Sequence, residues 1–203
     1  ELGHVFVCDT NLRDGLLQDM ALGGGWTAEF RNQIVRSAIS LGRKFDLDES
    51  HGRNVAELAR KLFQQLQHEH LLDSRHEVIL FVAALLHEIG LIVNVKSNHK
   101  HALYLIRHSE LFGLSKSELL QVGLVARYHR RAFPQPSHVD YGSLAQEDRV
   151  AVSKMAAMLR LAIALDDTRS GRILEIECVN DGQQLVINVP GVDDVSLEQI
   201  AMR

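Results

Sequence analysis

The chain has 203 residues, 46% of hydrophobic type and 24% charged, with a formal charge of −4. This balance fits one globular unit, or one with a small appendage, and no internal repeat or low-complexity tract interrupts it. The longest apolar run, Val78 to Leu86, is far short of the roughly 20 residues that a membrane span needs, so no membrane partner is expected. The cysteines, Cys8 and Cys178, match no metal-ligand or redox spacing, and no signal-peptide pattern opens the chain. Both features set buried free thiols and a cytoplasmic location as the expectation.

The charge is unevenly spread. Asn94 to Arg131 holds seven Lys/Arg (96, 100, 107, 116, 127, 130 and 131) against Glu110 and Glu118, a local +5 that leaves −9 for the rest. A basic surface on an acidic chain fits a bound anion better than nucleic acid, which favours a basic chain overall. A solvated helix face accounts for the same count.

In chain order, "HVFVCDT" alternates like a strand, "NLRDGLL" breaks the pattern, and Gly23-Gly24-Gly25 forms a joint. Residues 1–25 therefore read as a lead-in strand and linker, 26–170 as a helical domain, and 171–203 as a small β-containing piece that stops within a pattern. Thr27 is placed to cap a helix to about Asp46, and Ser50 to cap the next, whose stripe is Val55, Leu58, Leu62 and Leu66. His51 lies four before Val55 and shares that stripe. Ser74 with Glu77, and Ser115 with Glu118, fit the capping box, in which each side chain bonds the other's backbone amide.

From Val78 to Leu86 the helix is apolar on every side, so other helices must surround it, and Gly90 is placed as a left-handed stop after His87-Glu88. Further helices are expected over Asn98 to Glu110, Ser115 to Tyr128 and Glu147 to Asp166. The stripe Val152, Met155, Leu159, Ala162 and Ile163 turns Asp166 toward the core. After Arg172 the period shortens to two: Leu174, Ile176 and Cys178 alternate with Glu175 and Glu177. Asn180-Asp181-Gly182 then turns into Leu185, Ile187 and Val189, a hairpin that must pack on the helices. The expected class is mainly α, a helical bundle with a small C-terminal β-hairpin.

His51, His87, Glu88 and Asp166 form an ordered set on three core helices. Imidazole and carboxylate suit a divalent ion such as Mn²⁺ or Mg²⁺, and open coordination positions would activate water for attack on phosphorus. The alternative is a buried network in which His51, His87 and Asp166 hydrogen-bond one another while Glu88 turns toward solvent or an arginine. The order resembles the HD phosphohydrolase superfamily, with Glu88 standing where that motif has Asp.

A wider resemblance rests on "NLRDGLL", "AALLHEIG", "HKHALYLIRHSELFGLS", "VARYHRR" and "MLRLAIALDDTR". Their order resembles the C-terminal half of the exopolyphosphatase and guanosine pentaphosphate phosphatase family. That resemblance implies an HD-like helical module following an actin-like N-terminal module, not in this chain, that hydrolyses terminal phosphoanhydrides. It also implies a homodimer and a basic groove for polyphosphate or guanosine polyphosphate. Lys100, His101, Arg107, Arg127, His129, Arg130 and Arg131 are the candidate phosphate-binding residues. For the last group, simple capping of a helix C-terminus by cations is the alternative. Three functions stay open: a polyanion-binding, dimerising module without turnover; an independent metal-dependent phosphohydrolase; and a sensor domain holding a nucleotide or alarmone. No G-x-S-x-G and no P-loop is present.

Overall fold

The computed structural model describes residues 26–130 and 132–202. The lead-in strand, "NLRDGLL", the triple glycine, Cys8 and Arg131 lie outside the described residues. Thr27, in extended backbone, starts α1 (Ala28–Lys44) by accepting the Phe30 N–H at 3.2 Å. The cap of α2 (Glu49–Gln65) is Asp48 rather than Ser50. Asp48 is the residue with extended backbone, and its carboxylate accepts the His51 N–H at 3.1 Å, while Ser50 is already helical. This sets His51 in the first turn, buried on one stripe with Val55, Leu58 and Leu62.

Following α3 (Gln67–His70), α4 (Ser74–Leu86) shows the same displacement. Asp73, not Ser74, accepts the Arg75 and His76 N–H groups at 2.9 and 3.2 Å, and Glu77 instead accepts from Gln64 at 2.8 Å. In both cases a carboxylate one or two residues before the serine is the stronger acceptor for amides at the positive end of a helix. The reciprocal Ser115–Glu118 box does open α6 (Lys116–Arg127), with Ser115 N–H to Glu118 at 2.8 Å and Glu118 N–H to Ser115 at 3.3 Å.

The apolar α4 is the axis of the bundle, packed by α1, α2, α6 and α8 (Gln146–Leu165). A 3-10 turn (Ile89–Ile92) follows it, then α5 (Asn98–Arg107), while the short α7 (Val139–Gly142) precedes α8. Gly90 is not a left-handed stop. It lies inside the 3-10 turn, and a Cβ there would run into the Asn98 carbonyl oxygen and stand 2.7 Å from the Ala102 nitrogen. Glycine is required there because two backbones meet, not because φ is positive.

The fold is mainly α with a small β appendage: β1 (Glu177–Asn180) pairs antiparallel with β2 (Leu185–Asn188), with Cys178 opposite Ile187. The expected alternation fails before the strand begins. Leu174 is exposed while Ile173 and Ile176 are buried. Here the Lys61 ammonium takes the Leu174 carbonyl and the Gln65 amide takes the Ile176 carbonyl at 2.6 Å, docking residues 173–176 on α2 as irregular chain. The last helix, α9 (Ser196–Ala201), is fastened by its buried Glu198, which receives the Arg172 guanidinium on both oxygens at 2.7 and 2.8 Å. Among the described residues no helix is long and apolar enough to cross a membrane.

Candidate functional site

A cleft of about 500 Å³ opens where α2 begins and α4, α6 and α8 end. Histidines 51, 87 and 129 line it, with Glu88, Asn98, Arg130 and Arg169. The Asp48 cap fixes His51, whose Nδ1–H donates to Asp166 Oδ2 at 2.8 Å, both side chains being buried. Asp166 ends α8, and its other oxygen accepts the Gly171 N–H at 3.0 Å. Burial pushes the Asp166 carboxyl up, but hydrogen bonding from His51 and Gly171 outweighs this and holds it below its ordinary value.

His87 comes at the end of α4 and donates its Nδ1–H to the Ala84 carbonyl at 2.7 Å. His129 follows the C-terminus of α6 and donates likewise to the Ala126 carbonyl. The His87 ring meets His51 edge-on at 5.5 Å between centroids and His129 at 5.3 Å. Burial pushes His87 down to about 4, against the Ala84 bond and with help from His51 and Arg169. It pushes His129 down to about 3, with His87, Arg130 and His99 adding to the effect. At neutral pH these two rings are uncharged.

Glu88 is locked to the Arg169 guanidinium, whose other nitrogen lies 3.8 Å from Asp48 Oδ2. Arg169 itself sits in the left-handed region at φ +52° and lines the cleft. Possible ligand atoms of His51, His87 and Glu88 lie within 4.8 Å of one another. These three residues could hold a divalent ion. Asp166 stands behind them with both oxygens engaged, so it orients His51 rather than facing the same point.

The six expected phosphate ligands that fall among the described residues do not gather in one place. His129 and Arg130 face the cleft, and Arg130 donates to the Val95 carbonyl at 3.2 Å and to Asn98 Oδ1 at 3.4 Å. Arg107 is paired with Asp140 at 2.6 Å, and the Arg127 guanidinium lies 5.6 Å from the Tyr128 ring centre. Lys100 is exposed and His101 half-buried on α5. Sequence reasoning missed Asn98 and Arg169 as cleft residues. Arg169 was within reach, because it follows Asp166 by three positions inside "MLRLAIALDDTR".

A family model described as Ppx/GppA phosphatase, domain III, matches residues 35–198. The chain belongs to this family. The domain III match takes in every cleft residue named above. Among its relatives is a guanosine-5'-triphosphate,3'-diphosphate pyrophosphatase of Vibrio parahaemolyticus, 28% identical over 185 residues, or 88% of this chain and 34% of the relative. A protein of the same name from Vibrio campbellii is 30% identical over 165 residues, 78% of this chain and 30% of its own length. The domain III chain thus spans about a third of the length of the curated relatives it matches.

Proposed function

We propose that this chain is the HD-like helical module of a Ppx/GppA-type phosphatase, and that its cleft binds the phosphates of polyphosphate or of a guanosine polyphosphate. The observation that carries this reading is the placing of two guanidinium groups, Arg130 and Arg169, at the mouth of a cleft large enough for several phosphates. Arginine offers five fixed donors and stays charged, so the bonds each group already makes leave others for phosphate oxygens. The names of the Vibrio relatives support a guanosine polyphosphate as one ligand class. Hydrolysis of terminal phosphoanhydrides is assigned to an actin-like module preceding this one in the whole protein, and pairing with a second copy is part of the same proposal.

The test is titration of the chain with end-labelled polyphosphate, followed by fluorescence anisotropy at several salt concentrations. Binding should weaken as salt rises. Replacing both arginines (Arg130→Gln with Arg169→Gln) should reduce affinity at least tenfold, since each charge-assisted bond contributes about 1.5–3 kcal/mol. Absence of binding at low salt would refute the reading. Sedimentation equilibrium decides the dimer separately. A second reading, metal-dependent hydrolysis by this module itself, is favoured by the close donor atoms of His51, His87 and Glu88. It requires phosphate-ester turnover that depends on added Mn²⁺ and is lost in His87→Ala.

A further inference from the structure

We propose that a second pocket, joined to the cleft at Arg169, receives a guanine base, so that the molecule whose phosphates lie in the cleft is a guanosine polyphosphate rather than bare polyphosphate. This inference rests on the phosphate-binding reading above. The pocket lies between the turn after α1 and the 3-10 turn. Its volume of about 280 Å³ is near the ~300 Å³ lower end of small-molecule sites. Phe45, Leu47, Leu91 and Ile92 supply its apolar surface. It shares Glu88, Leu91 and Arg169 with the cleft, so one ligand can occupy both.

Two observations set this pocket apart from ordinary surface. Ile92 is 58% exposed although apolar, and Phe45, Leu47 and Leu91 are only half-buried beside it. A flat ring laid there removes apolar surface from water. The second observation is in the backbone. Among the described residues three that are not glycine have positive φ, Asp46 at +54°, Leu71 at +55° and Arg169 at +52°, and two of the three line this pocket. Left-handed backbone at such residues costs free energy and gathers where a ligand is held.

The polar groups choose the base. Arg169 holds Glu88 and lies 3.8 Å from Asp48 Oδ2, while Asp48 Oδ1 accepts the His51 N–H, so these two carboxylates are engaged. The Asp46 side chain has no partner among the described residues. A carboxylate only accepts hydrogen bonds, and its two oxygens can accept side by side. Guanine presents two adjacent donors, N1–H and the N2 amino group, whereas adenine presents one donor beside an acceptor nitrogen. Asp46 therefore matches guanine and confronts adenine with a second acceptor. Arg169 stands where base and phosphates part, and its remaining N–H donors serve the phosphates.

GTP, ATP and tripolyphosphate are the probes, titrated by calorimetry into the 203-residue chain at pH 7.5 and low salt with EDTA present. GTP should bind at least tenfold more tightly than either ATP or tripolyphosphate. Asp46→Asn, which suits an exposed left-handed position, should abolish the preference for GTP over ATP and leave tripolyphosphate binding no weaker, with circular dichroism to confirm folding. GTP binding no tighter than ATP, or no tighter than tripolyphosphate, overturns the inference and leaves the polyanion-binding reading standing. A preference for GTP that survives in Asp46→Asn overturns it as well. If none of the three probes binds, both readings fall. The wild-type comparison of GTP with ATP decides even if the variant does not fold.

Discussion

Replacing Asp166 by Asn exchanges one carboxylate oxygen for an NH₂ group in the buried hinge of the cleft and tests how His51 is held. The carboxylate accepts from His51 Nδ1–H at 2.8 Å and from Gly171 N–H at 3.0 Å, and it is 2% exposed. An amide oxygen can keep only one of these on its own side; the NH₂ group must confront the other donor. Loss of one buried hydrogen bond to a charged acceptor costs about 1.5–3 kcal/mol. In a chain of this size each kcal/mol lowers Tm by about 2–4 °C, so a fall of about 3–12 °C is expected. The pH dependence has a definite sign. The native carboxyl is held below its unfolded value of about 3.9, so its stabilisation is complete above about pH 4 and disappears as pH falls through the native value. Urea unfolding of wild type and Asp166→Asn should therefore differ by the full amount at pH 7 and converge in acid. If the amide turns its NH₂ toward His51, the ring must move its proton to Nε2, which ¹⁵N shifts of labelled histidine report. A stability loss below about 0.5 kcal/mol with no change of tautomer would refute the account.

Two other expectations follow from the same geometry. Because burial keeps His87 and His129 uncharged to about pH 4 and 3, the unfolded chain binds protons first on acidification. Folding stability should fall as pH drops below about 6.5, by up to about 1.4 kcal/mol per pH unit for each ring, and level off near pH 4 for His87; urea midpoints between pH 7 and 5 check this. At the start of α2, Asp48→Ala should destabilise by about 1 kcal/mol while Ser50→Ala stays within about 0.5 kcal/mol. Equal effects from the two variants would mean that the helix begins at a different residue.

Much of the bundle could be read from side-chain spacing. The stripe through Val55, Leu58 and Leu62 and the all-apolar Val78–Leu86 run each had one way to be buried, so periodicity sufficed. The starts of α2 and α4 were misplaced by one or two residues because an aspartate precedes each serine. Which of two neighbouring oxygens caps a helix depends on which residue takes extended φ/ψ, and spacing does not encode that. The hairpin was legible from its turn, but Leu174 faced solvent because Lys61 and Gln65, more than a hundred positions earlier, claim the carbonyls of its segment.

The site divides along similar lines. Its histidine and acid pairing was visible because His51, His87 and Asp166 lie on apolar stripes, where polar groups require partners. A bond between His51 and Asp166 with Glu88 turned toward an arginine was one of the readings left open, but which arginine, and the place of His129, were not visible. Asp166 behind His51, Arg169 across Glu88 and His129 beside His87 are set by helix ends, where the chain leaves its regular period. His70 shows the limit from the other side. It is as buried as His51, and only its two filled hydrogen bonds mark it as a strut.

Gly90 gives the cleft a fixed gauge. With no side chain between them, the 3-10 turn after Glu88 and the first turns of α5 rest backbone on backbone. The distance from Glu88 on one wall to Asn98 on the other is thereby set by atoms common to every amino acid. Side chains around the cleft can be exchanged to alter its charge or chemistry without altering its width. Any residue larger than glycine at this one position would drive α5 outward, carrying Asn98 and the Arg130 guanidinium bonded to it away from Glu88.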